Sequence, residues 1–245
     1  QEKINEFSQV FPPTQELNQF FNEISQNPPI LNPDFVQHII NIFYSQAENY
    51  SNSANGIQFF YLILQIIEIL LNFQDENEEH IAQRVVFILG SNEFYSKINF
   101  LFDIQSTEIQ RTISYIYHDT LFEIDSSPQS KQIFIDILET FFQRSYIWAS
   151  YQDEELRSTC LDFHLLIYKL FDSSTAIDEF NILSSENLSK LNELYLLLLQ
   201  TGTPHIKKIA LKCLSYLIKC TKAITIDPQE MIPFVVSLLH ESNGE

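Results

Sequence analysis

The run Thr203-Pro204-His205-Ile206-Lys207-Lys208-Ile209-Ala210-Leu211-Lys212-Cys213-Leu214-Ser215-Tyr216-Leu217 sets the fold class of this chain. Ile206, Ile209, Ala210, Cys213 and Leu217 recur at helical spacing and share one side of a wheel turned by 100° per residue. Lys208, Lys212 and Lys219 fall within about 40° of one another on the opposite side. The segment therefore reads as an amphipathic helix with a basic stripe, entered through the polar turn Thr203-Pro204.

Two earlier segments open in the same way. Ser106-Thr107-Glu108-Ile109-Gln110-Arg111 and Asp153-Glu154-Glu155-Leu156-Arg157-Ser158 each place a polar turn ahead of an apolar anchor, followed by basic or amide residues. The anchors Ile109, Leu156 and Ile206 lie 47 and 50 residues apart, and four positions after each comes Ile113, Cys160 or Ala210. A weaker copy is expected to begin at Ile57. Nearly every other segment also shows apolar residues at i, i+3, i+4 and i+7, with almost no strand-like alternation. Helices are expected near residues 14–24, 35–44, 57–73, 79–89, 93–104, 108–124, 129–142, 154–171, 187–200, 203–222 and 229–240, the last as the first helix of a further pair.

Entry turns of this kind, with the Ile206–Leu217 helix behind them, resemble armadillo or HEAT repeats. The resemblance implies an all-α, irregular, right-handed α-solenoid of stacked helix pairs. One repeat domain would span residues 1–245, with units at about 14–75, 79–124, 129–171 and 187–222 and a partial unit at 229–240. It further implies that the helix after each entry lines a concave groove, where Arg111, Arg157 and Lys207 or Lys208 form a sparse ladder.

Composition narrows the function classes. The 245 residues are 45% apolar, enough to bury a core in a chain this long, so disorder is not expected. Only four residues are glycine, and none sits in a phosphate-cradling or dinucleotide-binding loop. Fourteen basic and 32 acidic residues give a formal charge of −18, which opposes nucleic acid and anionic membranes over most of the surface. The longest apolar run, Ile57–Phe73, is about 25 Å long as a helix, short of a ~30 Å hydrocarbon core, and reads as a buried helix. Gln1–Val10 contain no basic segment followed by an apolar one, so no secretory signal is expected there. Cys160, Cys213 and Cys220 read as small core residues in a reducing compartment, and the expected location is cytoplasmic or nuclear.

No enzymatic constellation stands out. The six histidines are scattered, none in a metal-ligand spacing, and no Gly-x-Ser-x-Gly elbow is present. His118-Asp119 is not expected to pair, because adjacent helical residues point about 100° apart. The expectation is thus no catalytic residue, no metal, no cofactor and no small-molecule ligand. Charge placement is more informative. Residues 200–226 carry five basic and no acidic groups, while the rest of the chain carries nine and 32. The candidate binding residues are Lys208, Lys212, Lys219, Arg111, Arg157 and Lys207, with Trp148 and Tyr151 as aromatic contacts at an expected helix junction. The acids of Asp153-Glu154-Glu155 read as helix caps.

These features together point to a non-enzymatic scaffold or adaptor that binds another protein or peptide. One alternative is an acidic solenoid resembling nuclear transport receptors, binding basic cargo. Another is a regulatory subunit of an enzyme complex.

Overall fold

A computed structural model describes residues 54–72, 81–91, 93–124, 128–172 and 184–221, with isolated positions at 22, 36–37, 39–41, 43–44 and 236. Among these residues the chain is all helical, with no strand. The elements are α1 (Ala54–Leu71), α2 (Ile81–Ser91), α3 (Phe94–Lys97), a 3₁₀ segment (Ile98–Asp103), α4 (Thr107–Glu123), α5 (Pro128–Ala149), α6 (Glu154–Asp172), α7 (Ser185–Thr201) and α8 (Pro204–Thr221). The expected helices 14–24 and 229–240 lie outside the described residues, save for Asn22 and Val236. The chain divides into two compact units, 1–140 and 141–245, with the boundary inside α5.

In the first unit α1 is apolar nearly all round and is buried accordingly, packing on α2 and α4. Phe43, in the short helical stretch before it, is the hub of an aromatic cluster. Its ring lies 5.3 Å from Phe60, 5.9 Å from Phe94 and 6.0 Å from Phe100, in edge or tilted geometry. The helix expected over 93–104 is instead one α turn followed by 3₁₀ geometry. Glu93 enters it in the left-handed region at φ 55°, and the three-residue period of the 3₁₀ turn stacks Ile98 over Leu101, both fully buried. Gly90 marks a close helix approach, since a Cβ there would stand 2.4 Å from Ile133 Cγ1 on α5.

In the second unit α6 and α8 run in the same direction. Thr203 donates to Glu154 (2.7 Å), Ser158 pairs with His205 (3.1 Å) and Cys213 donates to the Leu161 carbonyl (3.4 Å). Helix α7, between them in sequence, packs on α8. Helix α5 runs seven residues beyond its expected end at Phe142. Ser145 Oγ returns its proton to the Phe142 carbonyl (2.7 Å) and so does not break the helix. Ser145, Trp148 and Ala149 are all fully buried, continuing the apolar side of Phe141 and Phe142. Trp148 therefore sits in the last turn of a helix, edge-on to Phe141 at 5.7 Å, and the junction falls after it.

The three entry segments share their geometry in detail. Ser106, Asp153 and Thr203, each three residues before its anchor, accept from the anchor's own backbone N–H at 3.4, 2.9 and 3.4 Å. Ile109, Leu156 and Ile206 are fully buried, and so are the residues four, seven, eight and eleven places on: Ile113, Ile116, Tyr117 and Thr120; Cys160, Phe163, His164 and Ile167; Ala210, Cys213, Leu214 and Leu217. Ile57 does not belong to this register. It is half-buried, and the face of α1 with the same spacing is Phe59, Ile63, Ile66, Ile67 and Leu70. In α1 almost every side is apolar, so the pattern carries no phase from which the anchor could be read.

Two outcomes test this packing. Gly90→Ala gains roughly 1 kcal/mol of helix propensity but overpacks Ile133, which typically costs 1–3 kcal/mol, so chemical denaturation is expected to show net destabilisation. Adding Ile133→Ala should reveal a favourable coupling of about 1 kcal/mol between the two sites. The single tryptophan is expected to emit at a blue-shifted wavelength and to resist quenching by acrylamide in the folded chain.

Candidate functional site

The basic stripe lies where the sequence pattern puts it. Lys208, Lys212 and Lys219 are exposed along α8, with exposed Ser215 among them, and the buried residues Ile206, Ala210, Cys213 and Leu217 occupy the other side of the helix. The helical rise spreads the three ammonium stems over about 16 Å. Lys208 and Lys212 form no ion pair among the described residues. Lys207 is half-buried.

The two arginines have different placements. Arg111, on α4 in the first unit, is half-buried, two places after its anchor. Arg157 stands one place after its anchor, and its Nη2 donates to the Tyr151 carbonyl. Gln110 occupies the same place in its own segment, and its Nε2 donates to the Ile104 carbonyl at 3.1 Å. Each of these carbonyls lies five residues before its anchor, so the amide or basic residue after the anchor ties down the turn that leads into the helix. That bond commits the Arg157 guanidinium to the turn. Of the two aromatic candidates, Trp148 is buried and only Tyr151, 40% exposed, reaches the surface.

One arrangement runs against the sequence reading. His118 Nδ1 lies 2.9 Å from Asp119 Oδ1, although the two are adjacent on α4. Asn72, at the end of α1, donates to the other carboxylate oxygen at 2.6 Å and holds it in place. The 100° between adjacent Cα–Cβ directions is bridged because the carboxylate turns toward the Nδ1 side of the ring. The result is a hydrogen-bonded series of exposed Asn72 and half-buried Asp119 and His118 that joins the end of α1 to α4. Among the described residues no group of three or more His, Cys, Asp or Glu is placed to hold a metal ion.

The second unit also contains a buried polar chain. Ser145 gives its single proton to the Phe142 carbonyl, so at 2.9 Å it must accept from His164 Nε2–H. His164 Nδ1 then accepts from the Tyr195 hydroxyl at 2.9 Å, and Tyr195 accepts from Tyr168 at 2.7 Å. The proton order fixes the His164 tautomer and links α5, α6 and α7. Burial lowers the His164 pKa from 6.5 to about 3. Burial raises the Tyr195 and Cys213 pKa values, and the nearby Asp162 charge adds to the effect on Cys213. Cys160 and Cys213 are buried thiols that form no disulfide. The one sequence signal of this chain was the position of His164 eight places after an anchor, in a column that is otherwise core.

No known protein family, curated protein or solved structure matches the chain. No helix among the described residues is long and apolar enough to cross a membrane.

The buried histidine gives acid stability a definite sign. Between pH 6.5 and about 3 the unfolded chain binds a proton at His164 that the folded chain does not. Its contribution is complete above 6.5 and is lost as pH falls toward 3, by at most about 1.4 kcal/mol per pH unit. Urea unfolding across this range should be steeper in pH for the native chain than for His164→Gln. The His164 ring resonances should not titrate between pH 7 and 5.

Proposed function

We propose that this chain is a non-enzymatic, helical-repeat protein-binding domain that serves as a scaffold or adaptor, with solvent-facing residues of α4 in the first unit, and of α6 and α8 in the second, as its recognition elements. The observation that carries this reading is the common construction of the three entries: the same cap position, the same buried register, and in two of them the same clamp on the turn. Helices built alike and packed in the same direction, as α6 and α8 are, each need a neighbour to cover their apolar sides. In an α-solenoid of the armadillo or HEAT kind, that need leaves one ordered column of side chains per repeat facing solvent.

The columns differ in chemistry at equivalent places. Two, six and thirteen residues after the anchor stand Arg111, Tyr115 and Phe122 on α4; Ser158, Asp162 and Lys169 on α6; and Lys208, Lys212 and Lys219 on α8. Phe122 is 71% exposed and adds an apolar group to the column of Arg111 and Tyr115. Variation on the outer positions over a constant inner register is the pattern expected of a binding surface carried on a structural repeat. Function is thereby attached to the surface chemistry and not to the fold alone.

The test is purification of the chain from its native cells with whatever accompanies it, followed by cross-linking mass spectrometry. The expected outcome is a stoichiometric protein partner cross-linked to residues of these three columns. Absence of any stoichiometric partner, or cross-links confined to other surfaces, would overturn the reading.

A further inference from the structure

We infer that the exposed side of α8 docks a short acidic polypeptide segment of a partner, with Lys208, Lys212 and Lys219 as its contacts. The inference rests on the protein-binding reading above and narrows it to one partner chemistry.

Folding stability does not account for Lys208 and Lys212, whereas Lys219, in the last turn of α8, complements the helix dipole. Lys208 lies just past the first turn of α8, near the positive end of the helix dipole, where a cation is disfavoured. Helix α8 has no acidic residue in its first turn to offset this. Lys208 and Lys212 are four apart on the helix, so their like charges repel. Neither is neutralised by an ion pair among the described residues. Lys208 and Lys212 therefore cost the free chain stability, and an anion that binds beside them would relieve that cost.

The size and setting of the stripe select the anion. Its contacts are ammonium groups with a hydroxyl, Ser215, among them, so recognition depends on charge and hydrogen bonding. Residues 200–226 carry +5 and the remainder of the chain −18 − 5 = −23. Each charge acts over a Debye length of about 8 Å in physiological salt, so the attraction is local to a strip about 16 Å long. An extended polyanion such as nucleic acid would leave the strip and meet the surrounding negative field. Three or four carboxylates fit inside it, the reach of about five extended residues.

The experiment measures fluorescence anisotropy of a labelled peptide of about five glutamates, matched to the strip, with the full chain. Arms with the same number of glutamines and with a 20-nucleotide single-stranded DNA separate charge and polymer class. The glutamate peptide should bind, weaken as salt is raised, and lose roughly tenfold or more in affinity to Lys208→Ala/Lys212→Ala/Lys219→Ala. The triple variant should keep the helical circular dichroism of the parent, and Lys97→Ala/Lys190→Ala, outside the three columns, should bind as the parent does. Undiminished binding by the triple variant overturns the inference, as does DNA binding as tight as the peptide's. If the glutamate peptide does not bind while a native partner cross-links to α4 or α6, this inference falls and the protein-binding reading stands.

Discussion

The entry turn of each long helix is the constraint on which the rest depends. A helix start leaves four backbone N–H groups without partners, and one placed against a core must satisfy them locally. Ser106, Asp153 and Thr203 do so while fixing, through the anchor's own N–H, which residue faces inward. Once the anchor is set, the 3.6-residue period determines every later contact. Four further residues per helix are buried without exception in α4, α6 and α8. Gln110 and Arg157 add a second restraint by holding the carbonyl of the preceding turn. Cap and clamp act on either side of the anchor, so a slip of one residue would break both and would turn the buried stripe by 100°.

Polar groups inside the core sharpen this register. An apolar core tolerates small displacements, whereas a buried hydrogen-bonded chain does not, because each unmade bond leaves a desolvated group that costs about 1–3 kcal/mol. Tyr168, Tyr195, His164 and Ser145 form such a chain in the second unit, ending on the Phe142 carbonyl. The first unit has a parallel device. Thr120 gives its proton to the Ile116 carbonyl, so Tyr95 must donate to Thr120, while Tyr117 donates to the Tyr95 carbonyl. Tyr117 and His164 stand eight places after their anchors, one turn deeper than the residues that set the stripe. In α8 the same place holds Leu214, and Cys213 beside it bonds the Leu161 carbonyl.

Periodicity made the helices legible, and the three anchors with their polar entry turns were legible as well, because both depend on residues within four positions of each other. What escaped depends on contacts that distance along the chain hides. The Arg157 bond to Tyr151 needs the shape of a turn, and arginine after an anchor reads equally well as a groove residue. The His164 chain gathers Ser145, Tyr168 and Tyr195 from three helices, with no spacing to announce it. His118 and Asp119 pair because Asn72, 47 residues earlier, holds the carboxylate, which no rule for a single helix contains. The length of α5 was misjudged for a local reason, since Arg144-Ser145 looks like a polar turn until the serine satisfies itself on the carbonyl three residues back. The basic stripe was legible because exposure on an amphipathic helix follows from periodicity alone.

The charge of −18 has to be understood on two length scales. Averaged over its whole surface the chain is an anion, which keeps copies apart and disfavours polyanions. Within a few ångströms of α8 the local sign is reversed, and screening prevents the two regimes from cancelling. Such a reversal asks little of the core, because the entry fixes the inner register of each long helix while Lys208, Lys212 and Lys219 stand exposed on the other side of α8. The column that carries Lys208, Lys212 and Lys219 on α8 carries Ser158, Asp162 and Lys169 on α6. Surface chemistry can therefore change from one helix to the next with no change in the core that supports it.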